Sequence, residues 1–172
     1  MPVTMDAMLR GGEYSNSRYG RDPFLTLHDE RKVILEFDLS AANPDVVYEY
    51  TLQFFVTFVA ENEVRSVTVS HVTQQDYVWS DSDVTWDIFG SPSAEEIGWF
   101  SIFRDDTETL VNIPLGMLTN STVSANRLIL VLESRAEESG RDKFDFRSKE
   151  FGEEFPGMID TPPTLTGVPV LA

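Results

Sequence analysis

From residue 127 the chain reads Arg127-Leu-Ile-Leu-Val-Leu-Glu133, breaks into polar residues, and resumes as Lys143-Phe-Asp-Phe-Arg-Ser-Lys-Glu150. The first run predicts a buried strand. The second alternates, with Phe144 and Phe146 on one side and Lys143, Asp145, Arg147 and Lys149 on the other. Successive strand side chains point to opposite faces, so such alternation belongs to a half-buried antiparallel strand. The class of the molecule is therefore all-β. Its outer face carries a row of charges that a ligand or partner can read.

The rest of the chain follows the same period. Strands are expected at 3–10, 24–28, 31–39, 48–60, 66–72, 99–103, 109–113, 127–133, 143–149 and 164–171. In the third, Val33, Leu35, Phe37 and Leu39 face inward, and Lys32, Glu36 and Asp38 outward. In the fourth, Leu52, Phe54, Val56 and Phe58 share one face, and Thr51, Gln53, Phe55 and Thr57 the other. Asn43-Pro44-Asp45 and Asn62-Glu63 read as turns, Glu137-Glu138-Ser139-Gly140 as a hairpin tip, 80–93 as loop, and Pro114-Leu-Gly-Met-Leu118 as a connection. Short strands between turn clusters, without a helical apolar period, predict a β-sandwich or barrel. No repeat or linker divides the 172 residues, so 1–172 forms one domain.

Charge excludes several partners. There are 29 acidic and 13 basic residues, a net charge of −16. Nucleic acid and anionic membranes both demand clustered cations. The acidity itself reads as solubility in a salty medium. Cysteine is absent, which removes disulfides, thiolate catalysis and thiolate metal sites. No apolar run approaches the ~20 residues of a membrane span. The opening Met-Pro-Val-Thr-Met-Asp has no secretory pattern, so the chain is expected to reach its location without a leader or after losing one.

Four segments, in order, resemble the DNRLRE-type module grouped with carbohydrate-binding module family 96. They are Gly12-Glu-Tyr-Ser-Asn-Ser-Arg-Tyr-Gly20, Arg31-Lys-Val-Ile-Leu-Glu-Phe-Asp-Leu-Ser40, Trp79-Ser-Asp-Ser-Asp-Val-Thr-Trp86, and Phe146-Arg-Ser-Lys-Glu150 with Pro162-Pro-Thr-Leu165. The resemblance implies an antiparallel jelly-roll-like β-sandwich. It also implies a non-catalytic module of the kind attached to polysaccharide-active enzymes or surface proteins. Glu36 stands where that family has Lys, and Asp81 where it has Glu.

The candidate ligand-facing residues are the scarce cations Arg31, Lys32, Lys143, Arg147 and Lys149, which suit a carboxylated sugar or an acidic neighbouring subunit. The competing reading is cross-strand ion pairing with Glu36, Asp38 and Asp145. Asp81 and Asp83, with Asp76 and Asp87 nearby, offer oxygen ligands for calcium; so, less clearly, do Asp105 and Asp106. The competing reading is a solvated acidic loop. Trp79, Trp86 and Trp99 are read as core residues, with sugar-stacking platforms as the alternative. His28 and His71 are the sole histidines, and His71 lies on an apolar strand face. No nucleophile elbow, zinc motif or phosphate loop is present, so no catalytic residue is assigned. Asn120-Ser-Thr122 matches a glycosylation sequon by pattern alone.

Two functions fit these observations. One is a polysaccharide-binding module acting outside the cell. The other is a structural subunit on a virus particle or extracellular assembly, which binds neighbouring subunits rather than sugar. Neither reading involves nucleic acid or membrane.

Overall fold

The computed structural model describes residues 1–28, 30–60, 65–118, 126–135 and 143–170. The expected turn at Asn62-Glu63, the hairpin tip at Glu137-Gly140 and the sequon at Asn120 lie outside them. The described residues contain ten strands: β1 (Met5–Arg10), β2 (Phe24–Leu27), β3 (Arg31–Asp38), β4 (Tyr48–Val59), β5 (Arg65–Val72), β6 (Ala94–Ile102), β7 (Thr109–Leu118), β8 (Arg127–Ser134), β9 (Phe144–Arg147) and β10 (Thr164–Pro169). Two single-turn helices accompany them, α1 (Trp86–Phe89) and α2 (Phe151–Glu154).

The strands form two antiparallel sheets. One runs β1-β3-β8-β5-β6; in the other β10, β9 and β7 all pair with β4, and β2 lies beyond β9. Within this pattern β2 pairs with β9, β3 with β8, β4 with β7 and β5 with β6. The chain from β2 to β9 is thus a long ribbon folded on itself, its pairs nested from the outside in. That nesting is the connectivity of a jelly roll. The ends continue it: Pro2 bridges Thr164, and Met1 exchanges backbone hydrogen bonds of 2.7 Å with Leu165.

Between the sheets Val33, Leu35 and Phe37 meet Leu52, Phe54, Phe144 and Phe146. The alternation expected for β3 and β9 holds here. A second core lies on the outer face of the first sheet, where Ala7, Leu9, Ile34, Ile129 and Val131 are covered by Trp79, Val84 and Phe89 from the 73–93 segment. The near-continuous apolar runs of β3 and β8 reflect burial on both faces.

Three differences from expectation have local causes. β6 begins at Ala94 rather than 99, and 80–93 contains α1, capped by the Thr85 side chain accepting from the Ile88 N–H. β7 runs to Leu118 straight through Pro114, which is tolerated because β7 is an edge strand pairing with β4 alone. The third difference concerns Phe58. A bulge between Val56 and Phe58 in the β4–β9 pairing inserts a residue, so Val59 takes the core position and Phe58 turns outward, 43% exposed.

Candidate functional site

The five cations do not share a surface. Arg31 and Lys32 are consecutive on β3 and so point to opposite faces. Arg31 is on the inter-sheet side, half-buried, with Nη1 on the Met8 sulfur at 3.7 Å. Burial and the facing Arg10 lower its pKa, against the pull of Asp145, Tyr19 and Asp22. Lys32 lies on the outer face of the other side, paired with Glu133 at 2.5 Å and set against the Trp86 ring. Lys149 falls beyond the end of β9, its ammonium 2.7 Å from both Asp81 and Glu150. Only Lys143 and Arg147 reach the same place, the outer face of the β4 sheet.

The acidic loop is likewise engaged. Asp81 pairs with Lys149 and Asp83 with Arg18 at 3.3 Å. Among the described residues no group of three or more acidic, histidine or cysteine side chains is arranged around a common point. Of the expected ion-pair partners, Glu36 does not face solvent but is buried beneath Trp79. It accepts from Trp79 Nε1 at 2.8 Å and pairs with Arg127 at 3.4 Å. Asp145 accepts from Thr26 at 2.6 Å. His71 is buried on β5, and burial lowers its pKa against the opposing influence of Glu95.

The tryptophans divide. Trp79 belongs to the second core and Trp86 packs against it, whereas Trp99 on edge strand β6 is 59% exposed with Arg135 over its ring at 5.2 Å. Trp99 therefore departs from its expected core role, since it alternates away from its buried neighbours Phe100 and Ile102 onto the outer face of the sheet.

Residues 15–20, residues 81–87 and Lys149, which fall in or directly beside three of the segments that resemble the DNRLRE-type module, meet at one corner. Ser15 donates to Asp87, Arg18 pairs with Asp83, and Lys149 reaches Asp81. Gly20 lies so close to the Asp81 carbonyl that a Cβ would sit 1.6 Å from its oxygen. This corner is closed by its own side chains.

The open concavity lies elsewhere, on the outer face of the β2–β9–β4–β7 sheet. Cross-strand register sets Phe24 opposite Arg147 and Phe55 opposite Leu110, so these four form a stripe across the strands. Arg147 lies between two rings, with Cζ 3.9 Å from the Phe55 centroid and 4.2 Å from that of Phe151. Its Nη1 donates to the Ile159 carbonyl at 2.7 Å and to Thr161 Oγ1 at 2.9 Å. Only 8% of its surface is exposed. It faces outward from β9, as expected, but the returning 151–161 segment covers it. Burial lowers its pKa, with Asp160 opposing.

That segment also builds the wall. Phe151 and Phe155, one helical turn apart, pack in a tilted pair with ring centres 4.9 Å apart, and both contact Phe24, at 5.6 and 5.9 Å. The open cavity so formed is about 450 Å³, and Met158 also lines it. A second cavity of about 400 Å³ shares Phe24 and Thr57 with it and adds Phe58, Lys143 and Asp145. Together they make one groove. Lys143 stands 5.6 Å over the Phe58 ring that the bulge turned outward. Beyond Phe55 the platform continues into Gln53 and Asn112, joined by a 2.7 Å hydrogen bond.

No protein-family model matches this chain, and no curated protein does. A solved structure of recombinantly expressed latent aurone synthase (polyphenol oxidase), co-crystallised with hexatungstotellurate(VI) and soaked in H2O2, is similar with a TM-score of 0.46 and 12% identity. The likeness covers 95% of this chain and 30% of that one.

Lys143 and Arg147 are legible in the sequence as outward-facing cations, but the rings around them are not. The signals were faint: Phe55 on the polar face of β4, and the four-residue spacing of Phe151 and Phe155.

Proposed function

We propose that this chain is a non-catalytic binding module that holds a polysaccharide along the aromatic groove of the β2–β9–β4–β7 sheet. The observation that supports this reading is the row of aromatic side chains and hydrogen-bonding groups lining the two adjoining cavities on one sheet face. Phe24, Phe55, Phe58 and Phe155 offer apolar surface to the C–H face of a pyranose. Thr57, Lys143, Gln53 and Asn112 stand beside them for its hydroxyls. Apolar lining with a few placed polar groups is the usual make-up of a small-ligand cleft. Arg147 and Lys143 are balanced in the groove by Glu108 and Asp145. That balance, on a chain of net charge −16, favours neutral polymers over polyanions. The resemblance to DNRLRE-type modules points to the same class of function, and to an extracellular setting.

Affinity electrophoresis in gels containing alginate, pectin or a neutral β-glucan tests the proposal. One polymer should retard the protein, and a Phe58→Ala/Phe155→Ala double variant should run freely in it while Trp99→Ala is still retarded. Free migration in every gel, with self-association seen in sedimentation, would instead favour a structural subunit of a particle surface.

A further inference from the structure

A buried carboxyl pair closes the corner from which the groove wall springs. Asp6, 1% exposed, lies on the inter-sheet side of β1. Its Oδ2 accepts the Lys149 backbone N–H at 2.8 Å. Its Oδ1 is buried and meets no donor, and the same holds for Oε2 of Glu150. Both side chains engage Lys149, Asp6 through its backbone N–H and Glu150 through its ammonium, which brings the two carboxyls to one buried corner. Two bare carboxylate oxygens repel, and an unpaired buried acceptor is costly, so this arrangement is favourable only with a hydrogen between them.

We infer that Asp6 and Glu150 share a single proton, and that this proton clasps β1 to the β9–α2 corner and so steadies the aromatic wall of the groove. Every neighbouring charge fits. Lys149 donates its ammonium to Glu150 Oε1 and to Asp81, which favours keeping the pair at one negative charge rather than none. From the segment before β2, Asp22 adds a further acidic group towards Glu150, tempered by Arg10 and Arg31. Ser148 Oγ accepts the Glu150 N–H and donates to the Asp22 carbonyl, fixing the corner's backbone. Phe151, the next residue, carries the stack onto Arg147. Burial, and then Glu150, push the Asp6 carboxyl up to about 8, against the pull of Lys149.

The clasp holds whether or not the groove takes a sugar, so its test needs no ligand. In the full chain labelled with ¹³C at carboxyl carbons, Asp6 should titrate far above the ordinary carboxylate range, near pH 8. Amide exchange of residues 151–155, corrected for intrinsic rate, should accelerate at least about tenfold between pH 6 and 9, a loss of protection equivalent to about 1.4 kcal/mol. In Asp6→Asn, whose amide supplies the bridging hydrogen at any pH, exchange should stay constant. Titration of Asp6 in the ordinary carboxylate range would overturn the inference. So would equal pH dependence of exchange in the two proteins. If Asp6→Asn fails to fold, the wild-type carboxyl titration alone decides.

Discussion

Arg147 and Phe151 hold the groove together from opposite directions: the guanidinium rises from β9 and the ring descends from α2, 4.2 Å apart. The cation is buried, stacked on two rings, and spends its hydrogen bonds on the segment that covers it. Arg147→Lys keeps the charge but loses the planar stack and the paired donors. It should cost about 2 kcal/mol, and Arg147→Ala about 3 kcal/mol, through lost cation–π contact and an unpaired Ile159 carbonyl. Urea unfolding of the two variants measures both.

Phe58 should matter to binding and not to folding. Its ring is outward because of the bulge, so Phe58→Ala removes little buried surface. Stability should change by less than about 0.5 kcal/mol, while affinity for a retained polysaccharide falls about fivefold or more, the cost of truncating an aromatic anchor. Comparing unfolding midpoints with gel retardation separates the two effects.

Much of the fold was readable from the period-two pattern, because a strand with one face in the core writes its orientation into alternate residues. Phe144 and Phe146 show it, as do Val33, Leu35 and Phe37. What escaped the pattern depended on long-range cover. Glu36 alternates outward, yet Trp79 arrives from 43 residues away to bury it. Phe58 alternates inward, yet the bulge reverses it. The five cations do not share a surface for the same reason: strand alternation places Lys143 and Arg147 on one face, but nothing local reveals that Lys149 lies past the strand end or that α2 folds over Arg147.

Trp79 Nε1 is the donor that keeps the Glu36 carboxylate tolerable beneath the loop. Trp79→Phe retains most of the apolar contact and deletes that hydrogen bond. A loss of about 2 kcal/mol is expected, the cost of leaving a buried acceptor short of a partner. Trp79→Phe/Glu36→Leu should recover part of it, since removing both polar partners spares the desolvation.

Glu36 also gives stability a pH dependence. Burial raises its pKa, with Arg127 and Trp79 opposing and Asp38 adding. The folded value lies above the unfolded one, so this contribution is complete below the ordinary glutamate range and is lost as pH rises through the folded pKa. Glu36→Gln should therefore flatten part of the decline in stability with rising pH that begins near pH 4.5, the unperturbed value. Denaturation midpoints of both proteins across pH 4 to 8 give the comparison.

Gly20 is required by space rather than by backbone angle. A methyl group there would collide with the Asp81 carbonyl, and backbone cannot swing aside as a flexible side chain can. Gly20→Ala should cost about 3 kcal/mol through forced displacement, read as a lowered melting temperature, and should disturb the Lys149–Asp81 pair.

The central claim is that the aromatic face of the β4 sheet is where this molecule binds. Amide and methyl chemical shifts followed by NMR during titration with a soluble oligosaccharide of the retained polymer test it most directly. The account predicts shifts concentrated at Phe24, Phe55, Thr57, Phe58, Lys143 and Phe155. Shifts confined to the opposite sheet, around Trp99 or Trp86, would contradict it.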